Sequence, residues 1–370
     1  MSAPLVAEVH APSYARLRPF RPPGAVTSPT FPVHRDLVDT LLRAHLAPAD
    51  PPRWDPVVAH VLATLAGYAY SDADTVATMA ARLGLEENRC AMIAERVDAM
   101  FICSTAFLVQ SRCGRVAVLG YRGTEPTSFI NWLTDADVNP EKVPWRFGDA
   151  PEIHEVHGGF YRNVRATRWA IGEKLRVAIE GKAIVPPAAP APGLAPPLDL
   201  ARLEALYVTG HSLGAAMAAM FAIMMETNPD YGEVRRRLRA VYTFGQPMIG
   251  DPGFAAACGA AIGKKTFRFI HAHDVVAALP PRISGPFGHF GEEYQLFRAA
   301  DGSWKPPQHN RTPMGQVGHL YELPLAASAF LARQLRPLRD LPFQYSLDDH
   351  GPHHYIAALT PPGVRTEFGD

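Results

Sequence analysis

The sequence lacks several features that would place it quickly. No stretch approaches the ~18 uninterrupted apolar residues of a membrane-spanning helix, so no transmembrane segment is expected. The opening MSAPLVAEVHAPSYARLRPF has no basic start followed by an apolar run, so it is not a secretory signal and a cytoplasmic location is expected, with export by another route left open. Net charge is also missing. Lys+Arg and Asp+Glu both number 36, which removes any bulk electrostatic case for nucleic acid or an anionic membrane as partner. Cysteine is scarce: the four, Cys90, Cys103, Cys113 and Cys258, form no C-x-x-C pair and no regular spacing. Neither a disulfide framework nor a zinc site is indicated, and free thiols are expected.

What is present is material for a sizeable core. Hydrophobic residues make 47% of the 370 and charged residues 19%, an ordinary globular balance. The 36 prolines gather in particular stretches. Residues 1–50 are proline-punctuated without sustained periodicity and read as an extended N-terminal arm ahead of one domain over 51–370. Within that domain, AIVPPAAPAPGLAPPLDL marks a proline-rich insertion at about 183–199, and a Gly- and aromatic-rich stretch suggests a hairpin excursion at about 282–318.

Between these interruptions the pattern alternates. Helical spacing in WDPVVAHVLATLAGYAYS and DADTVATMAARLGL precedes a strand pair, FICSTAFLVQ and VAVLGYRG, the second almost wholly apolar. An irregular aromatic-containing stretch and a long helix from near Gly159 follow. Then come LEALYVTG, GHSLGAAMAAMFAIMMETN, RAVYTFG and KTFRFIHA, a strand-helix alternation that implies a mostly parallel sheet with crossover helices.

Gly210-His211-Ser212-Leu213-Gly214 matches G-x-S-x-G between the strand ALYVT and an Ala-rich helix. A serine nucleophile on a sharp strand-to-helix turn needs tiny flanking residues, and the following helix aims its positive end at developing negative charge. The bare pattern arises by chance in roughly one chain in ten of this length, so the strand-motif-helix setting carries the inference. In such sites the acid and the base follow the serine in that order. Asp274, just after the strand TFRFIHA, fits the acid better than Asp251, which reads as a helix cap, or Asp301, in the turn AADGS. The base is sought among the downstream histidines His319, His350, His353 and His354. Pro352 reads as the first residue of a helix, leaving His350 in a loop ahead of it, whereas His353 and His354 would sit in a first turn that disfavours an imidazolium. His319 reads as part of a core strand. His350 is therefore preferred as base. His271-x-His273-Asp274 could face one way on a strand, but no further ligand has suitable context, and no metal is expected. Oxyanion donors are expected from the amide of Leu213 and from Gly123-Thr124 after VAVLGYR.

Six motifs in order, YRGTEPTSFINWLTD, VHGGFYRNV, VTGHSLGAAMA, TFGQPMIGD, FIHAHDVVAALPP and DDHGPHHYI, resemble the fungal-type or class 3 lipases of the α/β-hydrolase superfamily, from about Trp54 to Tyr355. The resemblance implies an α/β-hydrolase fold, the triad Ser212, Asp274 and His350, Thr124 as oxyanion residue, and no cofactor. It implies that His157 supports the site and that SFINWLTD and its continuation to Trp145 and Phe147 form a lid, with Phe129 and Trp132 among residues lining an acyl groove at a lipid-water interface. Met248, Val275 and Ala277 depart from the family's usual arginine and prolines. The expected substrate is an acyl ester or lipid, foremost an acylglycerol. Phospholipase A1, short-chain esterase, acyl transfer to an alcohol, and a non-catalytic scaffold are the alternatives.

Overall fold

In a computed structural model the described residues are 5–11, 31–47, 49–97, 102–123, 140–186, 200–312, 314–316 and 347–364. The organising element is a nine-stranded sheet. Its order is β1 (Leu5–His10), β2 (Arg89–Val97), β3 (Ile102–Gln110), β4 (Val116–Tyr121), β7 (Ala205–His211), β8 (Leu238–Phe244), β9 (Thr266–His271), β10 (Glu292–Leu296), β11 (Gln308–Asn310). Strands β1 to β4 pair antiparallel, β4 through β10 run parallel, and β11 returns antiparallel at the edge. A separate hairpin joins β5 (Pro140–Trp145) to β6 (Glu152–His157).

Helices cover both faces, which explains the apolar central strands. In β4 every residue is buried; Ala117, Leu119 and Tyr121 enter one core while Val116 and Val118 enter the other. In β7, Leu206 and Val208 divide from Ala205 and Tyr207 in the same way. The first core lies under α4 (Gly158–Ile179) and α5 (Leu213–Thr227), whereas the second lies under α1 (Leu37–Arg43), α2 (Pro56–Tyr68), α3 (Ala73–Leu83) and α8 (Pro352–Leu359). Between them in sequence come α6 (Gly232–Arg235) and α7 (Pro252–Ile262). Helix starts follow local chemistry. Asp55 accepts from Val57 N–H and Val58 N–H ahead of Pro56, and Asp251 accepts from Phe254 N–H ahead of Pro252, the capping role expected for it. All four cysteines are free thiols, Cys90 and Cys258 buried, Cys103 and Cys113 exposed.

Three expectations need correction. The first fifty residues are more than an extended arm: β1 forms a sheet edge and α1 buries Leu37, Leu41 and Leu42. An edge strand needs partners on one side only, so six residues suffice without a strong apolar pattern. The irregular stretch before α4 contains the β5–β6 hairpin, whose Pro140 and Pro144 are tolerated because β5 is its edge strand, paired among the described residues with β6 alone. The hairpin expected at 282–318 is there as the antiparallel pair β10–β11, but it extends the main sheet rather than interrupting it. Its polarity has a cause. Glu293, 1% exposed, pairs with Arg268 of β9, 1% exposed, at 2.9 Å. Glu293 also accepts from Asn310 Nδ2 at 2.7 Å. The proline-rich stretch 187–199 and His319 lie outside the described residues.

The Arg268–Glu293 pair supplies a test of this sheet extension. Glu293→Ala strands a guanidinium in a dry interior and is expected to cost about 3–5 kcal/mol in urea-unfolding experiments. A loss below ~1 kcal/mol, the range of exposed pairs, would contradict the buried pairing.

Candidate active site

The C-terminal ends of β7, β8 and β9 lie side by side, and each hands its next residues to one cluster. Ser212 follows β7 and heads into α5 with φ 60° and ψ −132°, a left-handed conformation that strains a non-glycine residue. Its amide donates to the Phe244 carbonyl at 3.0 Å, which ties the turn to the end of β8. Its hydroxyl is buried and has no hydrogen-bond partner among the described residues. Close approach explains the flanking glycines. A Cβ on Gly214 would lie 2.2 Å from the Tyr121 carbonyl oxygen, and one on Gly210 2.2 Å from that of Gly214. The turn is thereby pressed against the end of β4. Leu213 is the first residue of α5, so its amide is among the first-turn donors with no partner within the helix.

Asp274 follows β9 and is fully buried. Its Oδ1 accepts from Val276 N–H at 2.8 Å, while Oδ2 accepts from His350 Nδ1 at 2.8 Å and from the Tyr355 hydroxyl in a short bond. Burial alone would raise this carboxyl's pKa; the His350 charge and the three hydrogen bonds outweigh it and hold the pKa below the usual carboxylate value. The same contact drives Tyr355 the other way: burial first, then the Asp274 charge, push its pKa well above the ordinary phenol value.

His350 closes the short turn Asp348–His350, directly ahead of Gly351 and Pro352. This turn is fastened to β9. His271 Nδ1 donates to the Asp349 carbonyl at 2.9 Å, and His273 N–H donates to Asp349 Oδ2 at 3.2 Å. His211, beside the serine, fastens it again: its Nε2 donates to the His350 carbonyl at 2.6 Å and its ring stacks on His350 at 4.5 Å. The Tyr70 hydroxyl donates to His211 Nδ1 at 2.9 Å, which fixes that tautomer. Burial first, then the neighbouring His350, hold the His211 pKa down at about 3, so the ring stays neutral.

Ser212, Asp274 and His350 are thus gathered at one end of the sheet, and Asp274 is joined to His350. The rivals take other positions. Asp251 caps α7, Asp301 accepts from Ser303 N–H in its turn, His353 is exposed in the first turn of α8, and His354 stacks on His271. Thr124, Phe129 and Trp132 lie outside the described residues. Gly123, immediately before Thr124, is wedged between the Tyr70 hydroxyl and the His211 carbonyl. His157 is buried as the cap of α4, where Nδ1 accepts from Phe160 N–H at 3.4 Å and the ring stacks on Phe160 at 3.8 Å. Trp145, expected along a groove, is a core residue against Phe254 and Tyr161. Sequence reasoning missed Tyr355, Tyr70, His211 and Gly245. His211 stood inside the G-x-S-x-G motif, and Gly245 and Tyr355 inside the motifs TFGQPMIGD and DDHGPHHYI, but nothing in the sequence marked Tyr70.

Protonation gives this arrangement a measurable consequence. His157 and His211 stay neutral down to about 3 in the folded chain, whereas their unperturbed value is 6.5. Between those values the unfolded chain binds more protons, so stability falls as pH drops through that window. His157→Asn keeps a cap acceptor and is expected to flatten the fall of Tm from pH 6.5 to 4. An unchanged slope would remove His157 as a source.

Comparison with known proteins follows the same outline. Residues 118–284 match the family model described as Lipase (class 3). The triacylglycerol lipase OBL1 of Arabidopsis thaliana is 27% identical over 189 residues, covering 47% of this chain and 36% of that protein. Its Ricinus communis counterpart is 28% identical over 232 residues, covering 56% and 43%. The match thus spans less than half of either relative. Among solved structures, lipase II from Rhizopus niveus aligns with TM-score 0.51 at 18% identity, covering 80% of this chain and 92% of that one. The lipase of Rhizopus microsporus var. chinensis gives 0.51 at 18%, covering 83% and 91%. These likenesses establish the α/β-hydrolase fold, and the stretch from β4 to β9 matches the class 3 lipase family model.

Proposed function

We propose that this chain hydrolyses carboxylic esters, with acylglycerol lipids as the substrate class, through an acyl-enzyme on Ser212. The observation that carries the reading is the buried Asp274–His350 hydrogen bond of 2.8 Å beside the strained serine turn. With Nδ1–H committed to Asp274, the His350 Nε2 lone pair is left to take the serine proton as Oγ attacks the ester carbonyl. The same nitrogen then returns the proton to the leaving alcohol. Water, activated in the same way, cleaves the acyl-enzyme. Asp274 remains ionised throughout, because its three donors favour the charged form and offset the developing imidazolium. The oxyanion would be held by the Leu213 amide, assisted by the positive end of α5, together with Thr124. The lipid substrate class rests on the family and on the named activity of its plant relatives.

Initial rates on p-nitrophenyl esters from acetate to palmitate test the reading directly. Ser212→Ala is expected to lower kcat about 10⁴-fold or more while the fold is retained. Near wild-type turnover in that variant would remove Ser212 from the chemistry, and a profile confined to acetate and butyrate would exclude the lipid substrate class.

Gly245 tests the geometry separately from the nucleophile. It follows β8 with φ +58°, and a Cβ there would meet Asp274 Oδ2 at 2.6 Å and the His350 ring at 2.8 Å. Gly245→Ala should therefore displace the acid-base pair and lower kcat by roughly 10²-fold. A wild-type kcat with an unaltered circular dichroism spectrum would show that the pair is not held as described.

A further inference from the structure

At the opposite end of the sheet, where β8 and β9 begin, the surface carries a pocket of about 140 Å³. Arg53, Arg236, Arg239, Lys264 and Lys265 line it, with His45 on its wall. Five cations around one small space are unexpected in a chain whose formal charge is zero. Like charges so gathered repel unless anions offset them. Acids on the rim offset only part: Lys264 lies 3.6 Å from Asp50, and Arg236 pairs with Glu233. Arg53, Arg239 and Lys265 have no carboxylate ion pair among the described residues. Among the described residues, Arg239 Nε is buried there without a hydrogen-bond acceptor, and Lys265 Nζ reaches only the Leu238 carbonyl, at 3.3 Å.

The wall beside these cations is built rather than incidental. His45 Nε2 bonds the Tyr242 hydroxyl at 2.8 Å, and that hydroxyl accepts from Asp55 N–H at 2.8 Å. Phe267 packs on the His45 ring at 5.1 Å. The sequence shows the cause only as two short basic runs, Arg235-Arg236-Arg237-Leu238-Arg239 and Lys264-Lys265. Folding places them on adjacent strands' starts and brings Arg53 over from the loop before α2.

We infer that this pocket binds a phosphate-bearing anion. Guanidinium forks match phosphate oxygens two at a time, and lysines add compact charge, so two arginines and a lysine outside any carboxylate ion pair suit a dianion better than a single carboxylate. The volume admits the phosphate group and leaves whatever bears it outside. The site is separate from the ester chemistry: β8 runs seven residues from Leu238 at the pocket to Phe244 at Ser212, about 20 Å. A bilayer seated on the pocket would therefore lie at the far end of the sheet from Ser212, which favours a soluble phosphate compound over a lipid headgroup.

The test is isothermal titration of the full chain with inorganic phosphate at fixed ionic strength, paired with flotation on phosphatidylcholine vesicles with and without phosphatidic acid. Saturable one-site binding is expected, weakened about tenfold in Arg239→Gln and in Arg53→Gln, the loss of one charged hydrogen bond. It should be unchanged in Arg176→Gln, which alters the same charge on α4. Binding of phosphate without flotation assigns a soluble ligand. Flotation dependent on phosphatidic acid and lost in the same variants assigns a headgroup. If Arg239→Gln does not fold, the exposed Arg53→Gln gives the reading alone. No saturable binding of either probe, or binding that survives both substitutions, overturns the proposal.

Discussion

A carboxylate with no access to water can remain charged only where the protein supplies the donors that water would have given. At Asp274 those donors come from three places: the amide of Val276 in the next turn, the His350 ring, and the Tyr355 hydroxyl on α8. Satisfying one charge therefore requires the end of β9, the Asp348–His350 turn and the final described helix to occupy fixed positions together. The bonds from His271 and His273 to Asp349 and from His211 to the His350 carbonyl brace that arrangement from two sides. The serine turn joins through Phe244 and the glycine-permitted contact with β4. The chemistry proposed at Ser212 thus depends on how a buried negative charge is solvated by the chain itself.

Much of this was legible because the relevant physics is local. β4 and β7 read as strands because both their faces are buried, and the serine turn read as a turn because only glycine admits such backbone contact. Asp251, Pro252 and Pro352 announced helix starts through capping chemistry that needs no tertiary partner. What escaped reading was set by partners distant in sequence. β10 looks too polar for an inner strand until Arg268 is seen facing Glu293. Tyr355 looks like one more aromatic on a helix until its hydroxyl is found on Asp274, 81 positions earlier. β1 needs only an edge to pair with, and nothing in its own six residues names that edge.

The two ends of the parallel strands have been put to different uses. At the C-terminal ends the chain gathers histidines around a buried carboxylate, and at the N-terminal starts it gathers cations around a small open space. The strand between them is common to both. Tyr242, held by Asp55 and His45 at one end of β8, lies three residues before Gly245, which packs on the acid-base pair at the other.

The sequence separation of the Asp274–His350 and His211–His350 contacts, 76 and 139 positions, carries a consequence for how the protein comes into being. Synthesis delivers the serine turn and the parallel strands well before the residues of the Asp348–His350 turn, and domains begin to fold as they emerge. Until that last segment docks, the nascent sheet holds Ser212 beside an Asp274 that lacks two of its three donors. The acid–base pair proposed for the chemistry is therefore assembled only after the serine turn and its strands have been made, in a single step.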